Sequence, residues 1–590
     1  METKKYSKMA WLWENMKGYR ILYMFGLLGT IVYNVMQLVV PYITQRIVDL
    51  FLTGDEAASN IVTMRDVFFR LIIAMIVLTF IRTLIVYLVC MDVEHVSQKV
   101  LYRIRTYLFD KIERQDMSFY NAYRTGDLMT RITSDLDAVR HVIAWVLRCI
   151  VESFSLLLAT VIYFFCMDWR LAVAVLSIAP LMLIVIELFR KQVATKHKVL
   201  RGTLSNLNTA AQENISGNRV VKAFAREDYE IDKFDNCSIE YSTASKDTAL
   251  TWIRFFPCIE TFANLMPVVL LAVGGLFIIK GQLTMGEYVA FSGLIWAVQN
   301  PMRMLGTVIN DFQRFSAASE KVMEIYYSEP HIVDKKDAID LPERFKGKVE
   351  FKNVSFQYDD GVLPVLHNIS FVANPGETIA IMGETGCGKT SLIQLIPRFY
   401  EPTEGEVLVD DINVNDMKLI QLRKNIGLAT QDVLLYSDTI DGNIAYGDSS
   451  LTKEEVEKFA KYSAAAQFIT KMPERYDTIV GERGVGLSGG QKQRISLARA
   501  LAVRPAILIL DDTTSAVDME TEKQIQHSLK ELDFPCTKII IAQRISTTKF
   551  ADKILIIREG RITESGTHEE LVAQKGYYHS LVQLQTGEEV

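Results

Sequence analysis

The sequence predicts two architectures in series: a membrane α-helical domain of six long transmembrane helices, then an α/β P-loop domain with a helical subdomain. Three observations carry this. The 590 residues are 49% hydrophobic, and the long apolar runs are crowded into the first half. A chain of this length exceeds a single core. The second half places GETGCGKTS, Gly383 to Ser391, between an apolar run and a helical pattern, and it ends another apolar run, ILILDD at 507–512, in two carboxylates. The charged fraction is 23% and the net charge −6, so no nucleic-acid partner is expected.

Six apolar stretches are readable in order, 21–43, 68–91, 142–166, 171–189, 252–279 and 286–309. Each supplies about the 20 residues that a helix needs to cross ~30 Å of hydrocarbon. No such stretch follows residue 315. Lys and Arg give the orientation. They crowd the segment before the first stretch (Lys4, Lys5, Lys8, Lys17, Arg20) and the long connections after the second and fourth, and the other connections are poor in them. Both termini and the P-loop domain are therefore expected in the cytoplasm. The two long connections are polar and helical in pattern, and stalks of ~25 residues would carry their tips ~35 Å below the membrane. A cleaved signal peptide over 4–43 is disfavoured, because the run is too long and five more follow. No Arg- and Ser-rich transit pattern precedes it, which favours a bacterial plasma membrane. The seven cysteines, Cys90, Cys149, Cys166, Cys237, Cys258, Cys387 and Cys536, have neither metal nor disulfide spacing. The expected division is a membrane domain over 1–315, a linker over 316–346 and a nucleotide-binding domain over 347–590.

In the second half, residues 347–358 alternate like strands and end in Tyr358, and TIAIM at 378–382 reads as a buried strand. It runs into G-x-x-x-x-G-K-[ST] in the strand–loop–helix setting that motif requires. Gly383, Gly386 and Gly388 let the backbone turn and aim N–H groups at phosphate oxygens; Glu384, Thr385, Cys387 and Ser391 complete the loop. Lys389 is expected to reach the β- and γ-phosphates of ATP, and Thr390 a Mg2+ ion. Asp511, at the end of ILILD, is expected to hold the same ion directly or through water. In GLSGGQKQRISLARALAV at 486–503, Ser488 is a helix cap before an apolar face of Ile495, Leu497 and Leu501. Gly489 and Gly490 leave room for an anion, with Gln491 beside them. Cys387, inside the phosphate loop, is expected to react with maleimide and to be protected by ATP, a small loop residue with an inert thiol being the alternative.

With these motifs in this order, the chain resembles an ABC exporter half-transporter over nearly its whole length. The resemblance rests on the P-loop at 383–391, LSGGQ at 487–491, ILILDD at 507–512 and SAVD at 515–518. Gln431, in IGLATQD, resembles the family's Q-loop residue, which implies a contact with Mg2+ and the attacking water. Tyr358 is placed like the aromatic that stacks on adenine. GERG at 481–484 is similar to the exporter segment that touches the membrane domain, and 119–140 and 213–230 resemble the coupling-helix regions. The resemblance implies that two halves pair head to tail, each ATP lying between the P-loop of one and the LSGGQ (Ser488, Gly489, Gly490, Gln491) of the other.

Two positions depart from the family pattern. Where it has Asp-Glu, this chain has Asp511-Asp512. The Glu orients or deprotonates the attacking water; an Asp carboxylate sits back by about one C–C bond, ~1.5 Å. Misplacement of ~1 Å can cost about a hundredfold in rate. The family has a His after the next apolar strand, which the resemblance places against the γ-phosphate; here KIIIAQRIS at 538–546 has Gln543. An amide donates a hydrogen bond but neither carries a positive charge nor relays a proton. Both changes fall in one ATP site, which resembles the degenerate half of heterodimeric multidrug-type exporters. A different partner chain with intact Glu and His is therefore expected. A homodimer with a slow Asp base, or an ATP-gated channel or sensor, remains open. The cargo class is open among drugs, lipids and peptides. Within the stretches, Arg82, Arg148, Glu152, Glu187, Arg254 and Glu260 are functional candidates, with snorkelling at the inner interface the alternative for Glu187 and Arg254. Arg148 and Glu152 have i, i+4 spacing, and Gln299, Asn300 and Arg303 bracket Pro301.

Overall fold

The computed structural model describes residues 7–52, 61–342, 344–359, 361–481, 484 and 486–586. The chain forms two compact units: Met1–Glu113 with Thr125–Ser328, and Arg114–Arg124 with Glu329–Val590.

The first unit is helical. Its principal helices are α1 (Arg20–Gln37), α2 (Val39–Leu52), α3 (Ile61–Glu113), α4 (Leu147–Met167), α5 (Ile178–Ser216), α6 (Glu227–Val269) and α7 (Met285–Tyr326). Among the described residues five segments are long and apolar enough to cross a membrane: Arg20–Leu50, Arg65–Glu113, Thr125–Met167, Trp169–Ser216 and Glu227–Ile279. The sixth stretch, 286–309, lies inside the 42-residue α7, where Glu287, Gln299, Asn300 and Arg303 make it less apolar. The apolar face of α3 is turned outward, with Ile73, Phe80 and Leu84 exposed, as expected of a helix that meets hydrocarbon. An inner core forms where Phe164, Met182, Ala263, Met266, Phe291 and Leu294 meet. Pro257, Pro267 and Pro301 sit inside helices, and the carbonyl that Pro267 frees, Ala263 O, accepts from Gln299 Nε2. α7 starts at a capping box: Thr284 Oγ1 accepts from Glu287 N and Glu287 Oε2 accepts from Thr284 N. It runs unbroken to Tyr326, so residues 316–326, expected as linker, are helix.

The second unit holds two sheets. β1 (Val349–Phe356), β2 (Leu366–Ala373), β4 (Glu404–Val409) and β5 (Ile412–Asn413) form an antiparallel sheet in the order β2-β1-β4-β5. β3 (Thr378–Gly383), β6 (Ile426–Ala429), β7 (Ile507–Asp511), β8 (Thr537–Ile541), β9 (Lys553–Arg558) and β10 (Arg561–Gly566) form the other, in the order β10-β9-β3-β8-β7-β6. All its pairings are parallel except β9–β10. β7 explains why the run is apolar throughout. Ile507 and Ile509 enter the core shared with the antiparallel sheet. Leu508 and Leu510 enter the core under the helical subdomain, with Val456, Phe459, Ile495 and Leu501. A strand covered on both faces leaves only its ends for polar residues.

Helices of this unit used below are α8 (Lys389–Gln394), α9 (Gly489–Ala502), α10 (Met519–Lys530), α11 (His568–Ala573) and α12 (Tyr577–Thr586). The short helix Met117–Ala122, from the first long connection, belongs to this unit too. Its cap Asp116 accepts from Phe119 N at 3.1 Å and from His331 N at 2.7 Å, and Asn121 Nδ2 donates to the Tyr400 hydroxyl at 2.8 Å.

Candidate active site

The parallel sheet gathers the predicted residues at one edge. Ile381 of β3 and Asp511 of β7 both stand beside Ile541 of the intervening β8, and Ala429 of β6 stands beside Leu510. The chain therefore leaves four adjacent strands toward the phosphate loop, Asp512, Gln543 and Gln431 at the same sheet edge, the position where open α/β sheets bind ligands.

The phosphate loop turns through Gly386 (φ +84°) and Gly388 (φ +97°). A Cβ on Gly388 would lie 2.8 Å from Leu366 Cδ2, so the turn requires glycine for conformation and for space. Lys389 Nζ folds back over the loop and donates to Gly383 O at 2.9 Å and Glu384 O at 2.7 Å. Thr385 and Gly386 are exposed at the tip, and Glu384 pairs with Arg558 at 3.7 Å. Cys387 is 8% exposed and belongs to the core beneath the loop, with its Sγ 3.7 Å from Lys389 Nζ. Tyr358 flanks the loop: its hydroxyl shares a 2.8 Å hydrogen bond with Ser391 Oγ, and its ring meets Phe356 and Tyr400 edge-on at 4.7 and 5.1 Å.

Thr390 Oγ1 donates to Asp511 Oδ2 at 3.0 Å, which joins the first and second phosphate-site motifs. Asp511 is 4% exposed. Burial pushes its carboxyl above the usual range, and the Thr390 bond opposes the shift. Asp512 has a left-handed backbone, φ +49°, a conformation that Asp tolerates better than most residues. Its N–H donates to Ile541 O at 3.1 Å, and its carbonyl accepts from Ser515 Oγ at 3.0 Å. Its carboxylate accepts from Gln543 Nε2 at 3.3 Å. The two departures from the family pattern thus touch one another. Burial raises the Asp512 carboxyl as well, against the pull of Arg544 and Lys389.

The LSGGQ segment starts α9 in a capping box. Ser488 Oγ accepts from Gln491 N at 3.3 Å and Gln491 Oε1 accepts from Ser488 N at 2.8 Å. Ser488 and Gly489 are exposed; Gly490 is buried against Ala516, whose oxygen would lie 2.6 Å from a Cβ there. Among the described residues the segment makes no hydrogen bond to the phosphate loop. Its side faces 515–518 instead. Gln431 is exposed two residues beyond β6. In GERG, Glu482 and Arg483 lie outside the described residues.

Sequence reasoning missed Gln493. It is 6% exposed, accepts from Ala516 N at 3.1 Å and donates to Ser515 Oγ at 3.2 Å and Asp512 O at 3.4 Å. It also missed Arg544 and Glu522, which pair at 3.1 Å; Arg544 further donates to Ser515 O at 3.2 Å. The one sequence signal was an uncharged polar residue on the otherwise apolar face of α9. In the first unit, Arg148 and Glu152 pair at 3.1 Å as their spacing suggests. Glu260 meets Arg303 at 2.8 Å, Gln299 Nε2 donates to Ala263 O at 2.6 Å, and Glu187 is forked by Arg190.

A phosphate-loop domain in one chain with membrane-length helices marks an ATPase coupled to transport across a membrane. Comparison with known proteins gives the family. The pattern described as ABC transporter transmembrane region matches residues 23–302, and that described as ABC transporter matches 366–515. The chain belongs to the ABC transporter family, as an exporter half-transporter that binds ATP in a multi-pass membrane setting. An uncharacterised ABC transporter ATP-binding protein of Bacillus subtilis, YknU, is 38% identical over 99% of this chain and 98% of that protein. An ATP-dependent lipid A-core flippase of Syntrophus aciditrophicus is 37% identical over 84% of this chain and 83% of its own length. A putative multidrug export ATP-binding/permease protein of Bacillus subtilis, YgaD, is 34% identical over 95% and 96%. Among solved structures, a bacterial Atm1-family ABC exporter with ATP bound superposes with a TM-score of 0.81 at 27% identity, covering 96% of this chain and all of that one.

Proposed function

We propose that this chain is one half of a heterodimeric exporter whose own P-loop site holds ATP and turns it over slowly, while its intact LSGGQ completes the working site of a different partner chain. The observation that carries this is the 3.3 Å contact of Gln543 Nε2 with Asp512 Oδ2. A general base must come within ~3.2 Å of the water it activates. Here the carboxylate is one methylene short, and an amide already engages it. Every residue expected to grip ATP is present: Lys389, the glycine turns, Tyr358 and Thr390.

Among the described residues no three His, Cys, Asp or Glu side chains gather as a metal cage. The adjacent Thr390 and Asp511 oxygens fit a hard cation shared with phosphate. They would hold Mg2+, which when bound would neutralise charge on the β- and γ-phosphates. The Asn121–Tyr400 bond, with Tyr400 against Tyr358, supports transmission between the first cytoplasmic loop and the adenine side of the site. The ATPase domain faces the cytoplasm of a bacterial cell. The similarity to a lipid A-core flippase and to a multidrug export protein favours drugs or lipids as cargo.

The test is ATP turnover by the purified chain, alone and with its neighbouring-gene product. Little hydrolysis is expected from the lone chain. Asp512→Glu with Gln543→His should give the slow site measurable turnover. Brisk hydrolysis by the lone chain that disappears in Asp512→Ala would falsify the proposal.

A further inference from the structure

The loop after β8 is held on three sides, and only one of them is the phosphate site. Gln543 reaches inward to Asp512. Arg544 reaches sideways to Glu522, Ser515 O and Val517 O. The third hold comes from α12, near the C-terminal end of the described chain. Gln585 Nε2 donates to Gln543 O at 2.8 Å, and Gln585 Oε1 accepts from Ile545 N at 2.8 Å. One side-chain amide therefore clasps the backbone on both sides of Arg544.

The helix that carries this amide is firmly mounted. Tyr577 N and Tyr578 N donate to the two Glu564 oxygens at 2.5 and 3.1 Å, and the Tyr578 hydroxyl bonds His568 Nδ1 at 2.7 Å. Tyr578 and Val582 share a buried cluster with Ile545, Ala380 and Met382. Both clasp bonds are shorter than the Gln543–Asp512 contact they stand behind. Where an amide at the end of a flexible side chain sits depends on where its backbone is anchored.

We infer that Gln585 is a positioning residue for the γ-phosphate end of this chain's own ATP site. By clasping residues 543 and 545 it sets the Gln543 amide against Asp512 and in register with the phosphate. The C-terminal helix therefore governs how long the site retains its nucleotide. This rests on the reading of the site as one that holds ATP.

The test uses the full-length transporter with its partner, loaded with radiolabelled 8-azido-ATP and Mg2+, chased with unlabelled ATP and crosslinked by light. Retention on this chain is the readout. Gln585→Ala should shorten the retention half-time about tenfold, as expected for losing two net hydrogen bonds. Gln543→Ala should do the same, and the double variant should be no shorter than either, because the clasp acts through Gln543. Gln585→Glu keeps the acceptor for Ile545 N and loses the donor, and should fall between. Gln583→Ala, an exposed neighbour on the same helix that takes no part in the clasp, should match the parent. Retention within twofold of the parent in Gln585→Ala, or losses that multiply in the double variant, overturns the inference, and a multiplying loss with a lowered melting temperature assigns Gln585 a structural role alone. Recovery of the label as ADP would count against the ATP-holding reading; the non-multiplying pattern in release rate would still support the clasp.

Discussion

Gln493 offers the sharpest energetic prediction. It is buried, and its amide is the direct side-chain link from α9 to the segment 512–516. Gln493→Ala removes one well-formed bond at 3.1 Å, one at 3.2 Å and a longer one at 3.4 Å. At about 1 kcal/mol for each of the first two and ~0.5 for the third, the lost bonds come to ~2.5 kcal/mol. Ala516 N then loses its acceptor, a further ~1 kcal/mol unless water enters the space. For a domain of this size each kcal/mol lowers the melting temperature by roughly 2–4 °C, so a fall of about 5–14 °C is expected. Gln493→Glu keeps the acceptor for Ala516 N but loses both donors and puts a carboxylate at a buried position facing Asp512 O, so little of the fall should return at neutral pH. The assay is thermal unfolding of the purified full-length chain with ATP and Mg2+, beside ATP turnover with the partner. Turnover should fall more than ATP binding, since the link leads from LSGGQ rather than from the phosphate loop. An alanine variant that melts within 2 °C (about 1 kcal/mol) of the parent would refute the reasoning.

Three further outcomes are expected. Burial pushes the Cys536 thiol up to about 11, and the side chain is 3% exposed, so maleimide at pH 8 should leave it unlabelled until the chain is denatured; labelling at the rate of the half-buried Cys237 would contradict this. Asp518 caps α10, accepting from Thr521 N at 3.0 Å and Thr521 Oγ1 at 2.9 Å, and these bonds hold its carboxyl below the usual range. Its stabilisation is present above the unfolded-state pKa and disappears as pH falls through the folded one. Asp518→Asn should therefore flatten the acid limb of a melting-temperature profile, and an unchanged limb would place the acid sensitivity elsewhere. Glu260→Arg and Arg303→Glu should each lower expression and ATP turnover, and the double swap should restore both; a double variant as poor as the singles would mean that the 2.8 Å pair is not what the two positions need.

Much of this molecule was legible because its chemistry is local. A phosphate loop is nine contiguous residues between a strand and a helix. The Ser488–Gln491 box spans one helical turn, as does Arg148–Glu152. β7 reads as apolar throughout because both its faces are covered. The six-stretch reading held less firmly at 286–309, where polar residues interrupt the run without interrupting the helix. The burial of Cys387 was not legible, because a loop drawn along the sequence has no inside, whereas in the fold this side chain joins the core with its Sγ 3.7 Å from Lys389 Nζ.

By itself the sequence determined the two architectures, their order and the identity of the short carboxylate and the amide that replace the expected pair. Only the tertiary structure decided that those two side chains meet. Asp512 and Gln543 are brought together because β8 inserts between β3 and β7, and Gln585 reaches the same loop because α12 packs on the sheet beside Ile545. Periodicity reports which face of an element is buried, but not which distant element covers it. Strand order and helix docking, which create these contacts, are set by the summed packing of the whole domain.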